Sequence, residues 1–524
     1  MSCPTQDIVP FVRRIKNPTL HFAMLASMVL SWGGNAQTLP FQASQRFEYG
    51  SRIGQQALPP GTVLEPRLDS GIQYANNINL EETDTDDAFG IEVAPGIYAS
   101  HSTERFVGAL DYSLIGRLWD DGDLDDVTQR LAANGRWTAL REVLFIDAEA
   151  SYDDAVIDFA NGANYGGLGI FDNSNIVEQA AASIGPTVRK RFKDFQFEAS
   201  YSYGQVWILD RPEDFDQSFG QVATDDSVDQ SANVSFGLVP GNSRLNGSVF
   251  YSWENSEFDN ALPYEFERAG LEGGYELSRT LTLVGDVGKE SQLDEDASAG
   301  GLDSDFWSAG LRWSPDSRTS VEGRYGDRFF GSSYSVEVSH SSRLLEITAS
   351  YAEAPQVDTR RRSLGRFEPG DLPPGLDQGL ENSALNSQPY IGKDGSISLI
   401  SRGSRTLLGI SAFTSDRDYI DDFIGDEEGS GVRLFGSRSL AANLSVDLQA
   451  SYTDYFRGQT VVGPVVAFEQ SNDYDTEITL RGNRDFGPKL VGSLEAGYFH
   501  RAGTNKYDGW WVGLRGRWYP DFGK

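Results

Sequence analysis

The chain is 524 residues long, enough for several ordinary domains or one very large sheet, and 77 acidic against 44 basic residues give it a formal net charge of −33. Such a surface disfavours nucleic acid as a partner, because nucleic acid needs a basic footprint. A hydrophobic fraction of 39% is low for a soluble globular protein, yet 30 Phe, 22 Tyr and 10 Trp argue against disorder, which is poor in aromatics.

The chain opens with Arg13-Arg14-Ile15-Lys16, an apolar run from Leu20 to Trp32, and then Gly34-Asn35-Ala36-Gln37. A basic stretch, a short apolar stretch and small residues before a cut after Ala36 form the pattern of a signal peptide over 1–36. The apolar run falls short of the ~20 residues a spanning helix needs. Cys3, the single cysteine, would leave with the signal, so the mature chain would have no disulfide, thiolate metal site or cysteine nucleophile. Residues 37–62 have no clear period and are expected either in the periplasm or inside the lumen of a barrel built from the rest of the chain.

From 63 to 519 the dominant pattern has a period of two. In Asn443-Leu444-Ser445-Val446-Asp447-Leu448-Gln449-Ala450-Ser451-Tyr452-Thr453, polar and apolar residues alternate without a miss. That is a strand with one apolar and one wet face. Comparable segments are joined by connections that switch between short (101–104, 139–141, 278–279, 403–404) and long (120–126, 160–175, 210–226, 355–393). Short periplasmic turns, long extracellular loops and strands of ~10 residues are the rhythm of an outer-membrane barrel. The expected fold is therefore all-β: a single large antiparallel transmembrane barrel of about 22 strands (range 18–22), its partners being outer-membrane lipid and lipopolysaccharide. The stretches 326–351 and 395–405 are weakly marked. A strand–turn–strand frame recurs at 274–285, 311–323, 436–447 and 485–498, which is architecture rather than function. The last strand puts Trp510, Val512, Leu514 and Trp518 on one face and resembles the C-terminal signal read by the barrel-assembly machinery, although the tail 520–524 runs past it.

Several stretches resemble a family of outer-membrane barrels found with PEP-CTERM protein-sorting systems and exopolysaccharide gene clusters. They are Gly71-Ile-Gln-Tyr-Ala-Asn-Asn-Ile-Asn-Leu80, Val93-Ala-Pro-Gly-Ile97 with Leu110-Asp-Tyr-Ser113, Glu322-Gly-Arg-Tyr-Gly-Asp-Arg-Phe-Phe-Gly331 and Ser401-Arg-Gly-Ser-Arg-Thr-Leu-Leu-Gly-Ile410. The resemblance implies a role in moving polymer across the outer membrane, with periplasmic polysaccharide-export proteins and a polysaccharide substrate as partners. It brings no catalytic residues with it.

The alternation assigns a lumen face to Asp111, Asp147, Glu149, Glu198, Glu254, Arg268, Glu272, Glu276, Arg312, Glu322, Arg324, Glu337, Asp447, Glu495, Arg515 and Arg517. The excess of acids would favour cations in an open pore, or else these groups form a solvated wall of cross-strand ion pairs. The acidic runs 81–87, 120–126, 416–422 and 426–428 are either solubilised loop tips or loop-bound Ca²⁺ sites; none has EF-hand spacing. No other cofactor or metal is expected. The longest connection, 355–393, carries Arg360, Arg361 and Arg362, and it either folds inward as a constriction or forms an external flap.

Of the four histidines, His101, His340 and His500 lie near strand ends. Ser339, His340 and Ser341 cannot converge, because neighbours on a strand point to opposite faces. The expectation is a barrel without catalytic residues: a conduit for exopolysaccharide export, with a general or cation-selective porin and a plugged structural or adhesive barrel as the alternatives.

Overall fold

The computed structural model describes residues 61–520 apart from 79, 81, 84–85, 121–125, 157–175, 210–225, 240–242, 260, 262, 294–300, 364–387, 421–423, 459, 463–464, 469 and 505. The signal-peptide assignment, most of residues 37–62 and the end of the tail lie outside these. The first eight strands are β1 (Gly61–Asn76), β2 (Asp87–Ser102), β3 (Phe106–Trp119), β4 (Asp126–Leu140), β5 (Leu144–Val156), β6 (Ile176–Arg191), β7 (Phe195–Leu209) and β8 (Ser227–Leu238). Next come β9 (Leu245–Phe258), β10 (Tyr264–Glu276), β11 (Leu281–Glu290), β12 (Ser304–Asp316), β13 (Thr319–Arg328), β14 (Gly331–Ser341) and β15 (Leu345–Gln356). A helix, α1 (Asp358–Ser363), follows β15. The remainder are β16 (Tyr390–Arg402), β17 (Thr406–Tyr419), β18 (Glu427–Ala441), β19 (Leu444–Arg457), β20 (Thr460–Val462), β21 (Val465–Phe468), β22 (Ser471–Gly487), β23 (Leu490–Ala502) and β24 (Tyr507–Trp518).

Every strand except β20 and β21 pairs antiparallel with its neighbours, and β1 closes on β24 with Ile72 opposite Leu514. The result is the expected all-β barrel of 22 strands; β20 and β21 form a separate hairpin inside the β19–β22 connection. Closure removes both sheet edges, so the strand backbone groups can be satisfied without water. The barrel starts at Gly61 rather than 63 and ends at Trp518 rather than 519. Two hairpins escape the sequence rhythm: the β13–β14 turn on the long-loop side is only Phe329-Phe330, and the β23–β24 connection is only 503–506.

One face of each strand meets lipid. On β24, Trp510, Val512, Leu514 and Trp518 are each at least two-fifths exposed, and the eight residue steps from one tryptophan to the other span ~27 Å at ~3.4 Å per residue. That matches the ~25 Å apolar band of a membrane barrel with aromatic girdles at its edges. Upper-girdle rings meet in pairs, Tyr74 with Trp510 at 5.6 Å and Tyr325 with Tyr334 at 5.2 Å. Phe195 and Phe236 stack at 5.5 Å at the lower edge. A closed barrel with such an exterior spans the bilayer, and it resides in the outer membrane.

Candidate functional site

The candidate site is the lumen. Because side chains alternate along a strand, residues between the lipid-facing positions point inward. Asp111, Asp147, Glu149, Glu198, Glu254, Arg268, Glu272, Glu276, Arg312, Glu322, Arg324, Glu337, Asp447, Glu495, Arg515 and Arg517 all lie on that inner face, out of step with exposed partners such as Trp137, Leu271, Trp313, Leu448 and Leu514. Several of them meet arginines that sequence reasoning left out. Asp111 accepts two hydrogen bonds from Arg67, at 2.8 and 2.5 Å. Asp147 takes two from Arg136, at 2.6 and 3.1 Å, and Glu198 two from Arg189, at 2.9 and 2.7 Å. The missed arginines share the inward parity of their strands; Arg136 sits directly across from Asp147 and Arg189 from Glu198, whereas Arg67 on β1 reaches over β2 to Asp111 on β3. Applying the parity rule to bases as well as acids would have found them. The wall is therefore less acidic than its carboxylates alone suggest.

Two sectors of this wall differ. Around the closure, β22 to β24 and β1 to β3, the ion pairs are buried. Arg517 donates to Asp69 at 2.5 and 3.0 Å, Arg481 reaches Glu495 at 3.0 Å, and Arg501 lies 3.3 Å from Asp475. Above the first two, and level with Arg501, sits an apolar cluster of Ala75, Ile78, Ala88, Trp119, Phe499, Tyr507 and Trp511. Two of its rings lie flat on the wall because the strand beneath has no side chain. A Cβ on Gly497 would come within 2.3 Å of Trp511, and one on Gly509 within 2.4 Å of Phe499. On the far side, toward the periplasmic end of β4 to β17, the pairs stand in water: the Arg136 side chain is 62% exposed and that of Arg189 61%.

The extracellular half of that far side is occupied. The connection after β15 turns into the lumen at once. Val357 packs with Tyr264, Phe266 and Leu293, and Phe258, Phe329 and Ile420 flank the group. Asp358, buried, accepts from Arg417 at 2.9 and 3.2 Å and from the Tyr390 hydroxyl at 2.8 Å. The Arg417 guanidinium also lies 4.8 Å from the Tyr390 ring centre, within cation–π range. α1 then lies against β6, β7 and β8, and Arg360 forms an ion pair with Glu254 of β9. So the start of the longest connection, through α1, folds inward. The side chains of Arg361 and Arg362, and residues 364–387, lie outside the described residues.

Beside Val357 a second charged knot holds the wall. Glu290, fully buried, accepts from Arg328 at 2.7 and 3.0 Å, and Arg268 donates to Asp286 at 2.6 Å while stacking 4.0 Å from the Phe306 ring centre. Neither knot was visible as a cluster in the sequence, since Asp358 and Arg417 are 59 positions apart.

The acidic runs read as loops are partly strand. Asp416 and Asp418 belong to β17 and face outward with Lys393, which lies 3.3 Å from Asp416. Among the described residues no group of three or more His, Cys, Asp or Glu side chains is arranged to hold a metal ion. His340 Nδ1 lies 2.9 Å from Thr319 Oγ1 on the lipid face, with Ser339 and Ser341 turned to the lumen side. His101 similarly meets Thr62 at 2.8 Å.

No protein-family model matches the chain, and no curated protein does either. Solved structures that it is similar to are outer-membrane barrels. The siderophore receptor PirA from Pseudomonas aeruginosa is 12% identical, with 88% of this chain and 81% of that one covered and a TM-score of 0.41. The FrpB iron transporter from Neisseria meningitidis is 11% identical, with 88% and 83% covered and a TM-score of 0.46. OccK2 (OpdF) from Pseudomonas aeruginosa, solved in complex with glucuronate, is 9% identical, with 88% and 99% covered and a TM-score of 0.35.

Proposed function

We propose that this barrel is a gated outer-membrane conduit that takes part in exopolysaccharide export, with the β15–β16 connection as its gate. The observation that carries the gate is the position of α1: inside the extracellular half of the lumen, tied to one wall through Asp358 and Arg417 and to another through Arg360 and Glu254. A wet, charged vestibule lies below it, where Arg136, Arg189 and Arg402 are each about half exposed or more. A hydrated polymer entering from the periplasm would meet hydrogen-bonding groups first and the gate last, and periplasmic export proteins would supply the polymer. Support for polymer as cargo is the resemblance carried by the 71–80 and 322–331 stretches.

Conductance in planar bilayers tests the gate. The unaltered barrel is expected to show small, rare currents, and Asp358→Asn, which removes the charge facing Arg417, is expected to raise the open fraction by about tenfold or more if the pair contributes even ~1.4 kcal/mol to the closed state. A large steady current through the unaltered protein would favour a general porin. For the cargo, deletion of the gene should abolish surface polysaccharide while leaving polymer in the periplasm; an unchanged polysaccharide coat would reject export.

A further inference from the structure

We propose that the periplasmic rim of the barrel is a binding surface for anionic phospholipid headgroups of the inner leaflet. Ten turns join the strands at this end, and nine of them carry a Lys or Arg in a chain whose net charge is −33. Five consecutive turns, from β8–β9 to β16–β17, supply Arg244, Arg279, Arg318, Arg343 and Arg405. All five are exposed, and among the described residues none of their guanidinium groups pairs with a carboxylate, Arg318 meeting Asp316 only through its backbone N–H at 2.7 Å.

Three further cations point outward from the strands just above the turns. Lys190 sits across from Phe197, and Arg438 stands between Thr406 and Val446 on the lipid face. Arg484 lies 5.2 Å from the centre of the exposed Phe486 ring. Long basic side chains beside girdle aromatics are placed to keep an apolar stem in the bilayer and the charge among headgroups.

The opposite rim has the reverse sign. Glu265, Glu267, Asp305, Asp327, Glu353 and Asp416 face outward above the upper girdle. Its outward cations Lys289 and Lys393 are already paired, Lys289 with Asp305 at 3.0 Å. The segregation of charge is thus a property of the exterior and is not dictated by composition. Two features favour lipid over a soluble acidic polymer or an acidic protein. The basic groups run along the circumference instead of forming a patch, and Lys190, Arg438 and Arg484 point away from the lumen mouth, where polymer would enter. A phosphodiester headgroup of the phosphatidylglycerol class fits that position and charge.

The test uses the full barrel in nanodiscs of mixed phosphatidylcholine and phosphatidylglycerol, with lipids retained on extraction counted by native mass spectrometry. Phosphatidylglycerol should be enriched about fivefold per basic site, as expected for one Lys or Arg near an anionic surface. The enrichment should disappear in high salt and in a variant carrying Arg244→Gln, Arg279→Gln, Arg318→Gln, Arg343→Gln and Arg405→Gln. Lys at the same five positions should keep it. Heat-modifiable mobility confirms that each variant is folded, and Arg438→Gln with Arg484→Gln provides a milder pair should the fivefold variant not assemble. Equal retention in the unaltered and Gln proteins would overturn the proposal. So would binding of polygalacturonate through the same arginines without any lipid enrichment.

Discussion

The closure sector and the β4–β8 sector of the lumen wall use the same device, an arginine opposite a carboxylate, under opposite conditions. Arg517 and Asp69 at the closure are buried, whereas Arg136 with Asp147 and Arg189 with Glu198 stand in water. Bond geometry does not separate them: Arg136 grips Asp147 with two hydrogen bonds, as Arg517 grips Asp69. What differs is the cost of losing a partner. A buried charge stripped of its counterion keeps its desolvation penalty, while an exposed one returns to water. The closure, where the last strand must find the first, is thus less tolerant of a missing charge than the β4–β8 wall.

The largest effect is expected there. Asp69→Ala removes the carboxylate from Arg517 and from Arg67, whose Nε lies 3.4 Å away. The expected loss is about 3–5 kcal/mol, the range for breaking a buried pair. Urea unfolding in lipid vesicles would measure it, and a shift no larger than that of an exposed-pair variant would erase the distinction between the sectors.

A somewhat smaller effect is expected from crossing the sheet instead of moving around it. Leu448, half exposed, faces lipid and pairs with Gly436 and Leu480, while the adjacent Asp447 faces the lumen and accepts from Asn483 at 2.5 Å. Leu448→Arg should reduce stability by about 2–4 kcal/mol, as for a charge near the bilayer midplane. The Asp447→Asn change keeps a hydrogen-bonding group on the wet side and should leave assembly yield unchanged. If the two variants assembled equally, the inside–outside assignment of β19 would be wrong.

That assignment was legible in the sequence because it needs only parity: once Leu444, Val446, Leu448, Ala450 and Tyr452 share a face, Asp447 must be on the other. Strand number was also legible, since most turns carry Gly, Pro, Asn or Ser. The Phe329-Phe330 turn was not, because it lacks those residues and reads as a continuation of apolar strand. Burial was not legible either. Parity says that Asp69 and Asp147 both point inward, but what covers one and leaves the other wet comes from elsewhere in the chain. The same holds for α1: the Arg360 triplet marked the connection as worth watching, yet its anchor Asp358 is an unremarkable acid until Tyr390 and Arg417 are brought to it.

The smallest effect is expected in the vestibule. Arg136→Gln removes a two-bonded ion pair whose arginine is 62% exposed, leaving Asp147 free to rehydrate. Exposed pairs contribute about 0.2–1 kcal/mol, and the two-bonded geometry puts this one toward the upper end. Screening supplies the sharper criterion. At 1 M salt the Debye length falls to about 3 Å, so the difference between Arg136→Gln and the unaltered barrel should shrink toward zero. The Asp69→Ala deficit should persist, because its charges are shielded from mobile ions by the wall itself. Parallel urea titrations at low and high salt would therefore test the comparison without any structural measurement. A salt-sensitive Asp69→Ala deficit would mean that water and ions reach the closure as freely as they reach the vestibule.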